Sequence, residues 1–192
     1  MYSEATRAAL LEEATALFAA RGYGGTSLED VATASQVTRG AVYHHFASKQ
    51  ALFEAVLDAQ EMRATAEVVT AAAGAPDPWD AAMLALDAFL DQCCDPVYGQ
   101  LVWVEGPTAL GWHRWRECEQ KFSYGVVERF MHSLIEAGYL EDRAVDTQVK
   151  FAFWMLGGAG LALAEGDAPD RARLREEWRY LIRRSFIAMR AR

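Results

Sequence analysis

The stretch Thr26–Lys49, TSLEDVATASQVTRGAVYHHFASK, holds two helix starts so close together that neither helix can run beyond a few turns. Thr26 or Ser27 can cap the first, with Glu29 or Asp30 where a capping-box carboxylate reaches back. Leu28, Val31 and Ala32 then form an i, i+3, i+4 apolar stripe. Thr38 caps the second helix, whose Val42 and Phe46 point one way and leave Arg39, Tyr43, His44 and Lys49 on the other side. His45 leans towards Phe46 and the core. Two short helices around a tight turn, the second with a buried back and a polar, aromatic front, make a helix-turn-helix. That arrangement presents a recognition helix to a DNA major groove.

The rest of the chain is punctuated in the same way. A first helix over about 3–20 carries Leu10, Ala14, Leu17 and Phe18 on one face and stops at Arg21-Gly22, with Tyr23 anchoring the turn that follows. A fourth helix opens at Ser48, places Leu52, Phe53, Val56 and Leu57 inward and continues to Gly74. Asp77-Pro78 and Asp95-Pro96 each pair an N-cap with proline at the first helical position. The spacing predicts a short sixth helix ended by Gly106-Pro107. A seventh follows over about 112–137, with Trp115, Cys118, Phe122, Val126, Phe130 and Leu134 on one face. An eighth spans about 145–164, and a ninth after Pro169 carries Leu174, Trp178, Leu181, Ile182 and Met189. Neither strand-like alternation nor an internal repeat is visible. The expected fold is therefore all-α with about nine helices. It divides into an N-terminal domain over 1–60 (motif about 27–46) and a helical domain over 61–192, the boundary lying inside the fourth helix near Asp58–Met62.

Composition narrows the function. At 52% apolar and 24% charged residues the chain is ordinary for a globular protein. The longest uncharged apolar run, Phe151 to Ala164, is too short to span a bilayer. No basic-then-apolar export signal is visible, so a cytoplasmic location and no membrane partner are expected. Cys93, Cys94 and Cys118 lack paired CxxC spacing and read as reduced, buried helix cysteines ahead of a soft-metal or oxidant-sensing site with His113 or His132. No GxSxG, HExxH, P-loop or GxGxxG pattern occurs, so neither catalysis nor a cofactor or metal is expected. The net charge of −8 runs against nucleic-acid binding. Residues 1–57 hold Arg7, Arg21, Arg39 and Lys49 against six acids. DNA contact would rest on a few placed side chains, helix N-termini and avidity. The arginines at 171, 173, 175, 179, 183, 184, 190 and 192 read mainly as a solvated helix face.

GYGGTSLEDVA, VTRGAVYHHF and SKQALF, in this order behind an amphipathic first helix, resemble the DNA-binding domain of the tetracycline-repressor (TetR) family of bacterial transcription regulators. The resemblance covers roughly the first third of the chain. It implies DNA contact from Thr26, Ser27, Thr38, Arg39, Gly40, Tyr43, His44 and Lys49. Tyr43 and Lys49 would hold phosphates, Arg39 and His44 would approach bases, and Gly40 would allow close backbone approach. Gln36 stands where the family usually has glycine; if φ is positive there, it costs about 1–2 kcal/mol. The family also implies a ligand cavity, for which Phe89, Cys93, Trp103, Trp112, Trp115, Phe122, Phe153 and Trp154 are the candidate aromatic and apolar lining. The dimer surface is expected on the last two helices, with Gly157, Gly158, Gly160, Trp178, Leu181 and Ile182. The implied function is a homodimeric repressor released from a palindromic double-stranded operator by an apolar or aromatic small molecule. The alternative is an all-α small-molecule binder or a redox or metal sensor on the same scaffold.

Overall fold

The computed structural model describes residues 2–190, with side chains from Glu4 onward, and no strand occurs among them. Counting each continuous helical run once gives nine helices among the described residues. The first three are α1 (Tyr2–Arg21), α2 (Leu28–Ala34) and α3 (Arg39–His45), followed by α4 (Lys49–Ala72) and α5 (Pro78–Cys94). Then come α6 (96–110), α7 (112–136), α8 (Val145–Glu165) and α9 (Ala168–Ala188).

The starts are set by side chains that satisfy otherwise unpaired N–H groups. Ser27 and Asp30 form a reciprocal capping box, Thr38 accepts from the Ala41 N–H, and Ser48 accepts from the Ala51 N–H. Asp77 and Asp95 do the same ahead of their prolines. The head formed by α1–α3 closes on the first half of α4. Leu10, Ala14, Phe18, Val31, Val42, Leu52, Phe53 and Val56 are fully buried there. Phe18, Tyr23 and Phe53 form an aromatic cluster, with the Phe18 and Phe53 rings 5.0 Å apart and edge-on. Gln36 does take the left-handed conformation, at φ 56°. A non-glycine residue there lacks the freedom the turn calls for.

Two π-helical turns depart from the regular spacing that the sequence suggests. Gly106-Pro107 does not end α6. The helix widens into π geometry over Gly99–Glu105 and resumes as α-helix over Gly106–Leu110. The Gly106 N–H donates five residues back, to the Leu101 carbonyl. Pro107 has no N–H, so the Val102 carbonyl lacks its next backbone donor. The Trp115 indole N–H takes that place at 2.7 Å. A Cβ on Gly106 would stand 2.6 Å from the Trp115 ring, so this glycine is a packing contact rather than a stop. The second π turn, Gln120–Tyr124, lies within α7.

α5 packs against α4, α7, α8 and α9, which puts it at the centre of the second half. Most of the arginine-rich face of α9 is spoken for. Arg175 pairs with Asp87, Asp91 and Glu176, Arg179 pairs with Asp87, and Arg173 pairs with Asp170 and Glu177. Arg171 donates to the Leu163 and Gly166 carbonyls, while Arg192 lies outside the described residues. No helix among the described residues is long and apolar enough to cross a membrane.

Candidate nucleic-acid interface and interior cavity

Thr38, Arg39, Gly40, Tyr43 and His44 share the solvent face of α3, while Val42 beneath them is fully buried. Gly40 meets no obstacle within the chain, since an added Cβ would touch only the Thr38 hydroxyl oxygen at 3.9 Å. The fold itself does not require glycine there. Arg39 is braced on both sides. It is paired with Glu29 of α2 and donates at 3.3 Å to the Tyr43 hydroxyl, its guanidinium lying 5.4 Å from that ring. The pair is open to water, so it orients the guanidinium while contributing little stability.

Three other expected contacts are differently placed. Thr26 is a correction: it is 2% exposed, and its hydroxyl donates to the Gly22 and Leu17 carbonyls, tying the turn to α1. Ser27 is exposed, but the Asp30 carboxylate already occupies the N-terminus of α2, accepting from the Ser27 N–H at 2.8 Å. Hydrogen bonds from Ser27 hold the Asp30 carboxyl below its usual range. Lys49 donates to the Tyr23 carbonyl at 2.8 Å and lies 4.2 Å from the Tyr23 ring centre, which leaves two of its N–H donors.

The head is joined to the rest at more than the continuous α4. The Tyr23 N–H donates to Glu105 of α6 at 2.7 Å. Arg114 of α7 grips Glu54 of α4 with two hydrogen bonds, at 3.1 and 2.9 Å, and Lys121 of α7 pairs with Asp58 of α4 at 2.6 Å.

The opposite side of α7 faces a cavity of about 110 Å³, as traced by the centre of a water molecule. Of the predicted lining, Phe89, Trp103, Trp115, Phe153 and Trp154 are on its wall. Cys93, Trp112 and Phe122 are not, and each is a correction. Cys93 is buried behind the wall, and Trp112 is 56% exposed at the start of α7. The π turn rotates Phe122 off the inward stripe, where it lies under the Lys121 ammonium. That rotation brings in Ser123, whereas Glu119, four residues after Trp115 and ahead of the π turn, reaches the wall by ordinary helical spacing.

Glu119 meets Glu61 of α4, and the two carboxyls are 5% and 1% exposed. Glu61 accepts from the Tyr98 hydroxyl at 2.6 Å and the Ser123 hydroxyl at 2.7 Å, and lies within hydrogen-bonding reach of Glu119. Burial first, and then the Glu61 charge, push the Glu119 carboxyl well above its ordinary range. Burial also raises Glu61, against the hydrogen bonds it receives. The pair shares a proton, because two carboxylates this close in apolar surroundings do not both ionise. A signal for Glu61 is present in the sequence: it is an acid on the buried stripe between Leu57 and Ala64, four residues after one and three before the other.

The expected dimer surface also divides. Gly160 and Ile182 are corrections. Gly160 lets the Trp103 ring in, a Cβ there standing 2.5 Å from it, and Ile182 is fully buried within the protomer. Gly157 lines the cavity. Gly158 is exposed beside half-buried Trp178, and Leu181 is 55% exposed. With Phe151, Trp154 and Tyr180 these leave large apolar side chains open to solvent on α8 and α9.

Comparison with known proteins matches both halves of this architecture. Residues 10–56 fit the model of bacterial regulatory proteins of the tetR family, and residues 79–183 fit the tetracyclin repressor-like C-terminal domain. The chain belongs to the TetR family. The TetC protein of transposon Tn10 from Escherichia coli is 26% identical over 146 residues, covering 76% of this chain and 73% of that protein. A helix-turn-helix transcriptional repressor of Mycobacterium tuberculosis is 49% identical over 55 residues, covering 29% of each chain. The crystal structure of a TetR-family transcriptional regulator from Pectobacterium atrosepticum superposes with a TM-score of 0.85 at 23% identity. It covers 100% of this chain and 97% of that one. This TetR-family protein is accordingly a DNA-binding transcriptional regulator.

Proposed function

We propose that the chain is a homodimeric repressor whose operator affinity is set by a small molecule in the interior cavity. The observation that carries this reading is the placement of α4 and α7. The first half of α4 closes the reading head, and its second half carries Glu61, Ala64, Thr65 and Val68 on the cavity wall. α7 presents Trp115, Glu119 and Ser123 to the cavity and clamps Glu54 and Asp58 of α4 with Arg114 and Lys121. A ligand that shifts α7 therefore shifts the head, provided it binds one arrangement better than the other.

The division of labour falls inside α4, near residues 58–62, with the head on one side and the ligand and dimer region on the other. Arg39 and His44 would approach base edges, Tyr43 and the free donors of Lys49 would hold phosphates, and Thr38 and Gly40 would lie against the backbone. The exposed apolar residues of α8 and α9 are the surface on which two protomers pair, with Gly158, Trp178 and Leu181 within it. Two heads held about one helical turn apart would read a palindrome.

The test is an anisotropy titration of the full chain against DNA selected from a random pool and against the DNA upstream of its own gene. Sequence-selective, salt-sensitive binding by a dimer is expected. Binding that ignores sequence, or a monomer that retains full affinity, would refute the reading. The sensor alternative on cysteines has less support. Burial pushes the Cys93 thiol well up and raises Cys94 and Cys118, which lowers their thiolate content and reactivity.

A further inference from the structure

We propose that the cavity selects a molecule with a cationic nitrogen on an aromatic body, the nitrogen seated on the Glu61–Glu119 carboxyl pair. This rests on reading the cavity as the effector site.

Glu61 is satisfied by Tyr98 and Ser123, but Glu119 is not. Glu119 is 5% exposed, lines the cavity, and among the described residues has no partner besides the Glu61 carboxyl. Among the described residues no lysine, arginine or histidine pairs with either acid. Sharing one proton still leaves the pair one negative charge with no ion-paired countercharge, in a wall that is mainly apolar and includes Phe89, Trp103, Trp115 and Phe153. Such a charge is costly to bury unpaired. An ammonium or amidinium group supplies the missing charge together with N–H donors for the open Glu119 oxygen, and the rings favour a flat apolar body and a cation near their faces.

The other charged neighbours do not fill this role. Arg116 is on the cavity wall, its guanidinium 5.8 Å from the Trp154 ring and its Nε a buried donor without a partner, but it makes no ion pair with Glu61 or Glu119. Asp58 adds negative potential at Glu61 and is itself held by Lys121. Cys93 stays a neutral thiol. When the cation binds, the shared proton leaves to solvent: the pair goes from one negative charge to two, and the ligand's positive charge faces both.

The experiment titrates the full-length protein with three probes of one skeleton, naphthylethylamine, naphthylethanol and naphthylacetate. Binding is followed by tryptophan emission and by calorimetry in buffers of different ionisation enthalpy. The amine is expected to bind at least about tenfold more tightly than the alcohol, and to release about one proton. Glu119→Gln leaves one carboxylate facing the cation instead of two, so it should weaken the amine about tenfold and abolish proton release. Glu61→Gln with Glu119→Gln should erase the preference for the amine. The wild-type buffer series stands even if the double variant does not fold. Equal or tighter binding of the alcohol or the acetate, a preference surviving the double substitution, or no amine binding at millimolar concentration overturns the proposal. A neutral or acidic probe that fills the cavity and releases operator overturns the charge assignment alone. A probe that fills the cavity without changing operator affinity overturns the effector reading instead.

Discussion

The reading face and the cavity use charged side chains in opposite ways. On α2 and α3 the charges are exposed and paired off locally, Arg39 with Glu29 and Asp30 with its own helix N-terminus. Water screens them, so those pairs contribute little and break readily. In the cavity, Glu61 and Glu119 are buried, with hydroxyl donors on one acid only. The same carboxyl chemistry therefore positions a neighbour in one region and creates a demand for a partner in the other.

The two regions share α4, and the largest test asks whether they are one cooperative unit. Phe53→Ala removes a fully buried ring from the Phe18–Tyr23–Phe53 cluster and should cost about 3–5 kcal/mol. Denaturant unfolding followed by helix circular dichroism and by emission of the tryptophans, all of which lie at residue 79 or beyond, should still show a single transition. An early, separate loss of helix from the head would mean that the regions are energetically independent.

Arg39→Ala should weaken specific DNA binding about 10- to 100-fold, as expected for loss of a good base contact. Unfolding should be almost unchanged, because the pair it breaks is exposed. An equal loss in stability would show that Arg39 holds the head together rather than reading DNA.

The cavity acids give the next effect, measured by pH. Their folded pKa values are raised, so the protein binds protons there that the unfolded chain releases. Their contribution to stability is full below the unfolded carboxyl value and is lost as pH rises through the raised folded values. The slope should reach at most about 1.4 kcal/mol per pH unit for one proton. Glu119→Gln should flatten that decline and leave the reading face unaffected, as seen by urea midpoints across neutral pH. The smallest change is Gln36→Gly, which relieves the left-handed strain in the turn and should stabilise the head by up to about 1 kcal/mol.

The head was legible because its determinants are local. Caps, stripes and turn residues lie within a few positions of one another, and Thr38, Arg39, Gly40, Tyr43 and His44 follow from one short helix with a buried Val42. Thr26 was misread because two adjacent residues can each cap α2; Ser27 takes the cap and Thr26 turns inward. The cavity was only half legible. Large aromatics named part of its wall, but Ser123 reaches it through a π turn that periodicity at a constant angle per residue cannot anticipate, and Glu119, at i+4 from Trp115, is a charged residue on a stripe read for its apolar members. Gly160 and Ile182 mark the same difficulty at the C-terminal helices. A small or apolar residue on a two-sided helix does not declare whether it faces its own core or a partner.

The π turn of α7 has one more consequence. A single surplus residue works as a phase shifter. Upstream of it Arg114 grips the head while Trp115 and Glu119 face the cavity, and downstream Val126, Phe130 and Leu134 face the same cavity. Insertion or deletion at Gln120–Tyr124 would turn one end of the helix relative to the other without replacing a side chain at either.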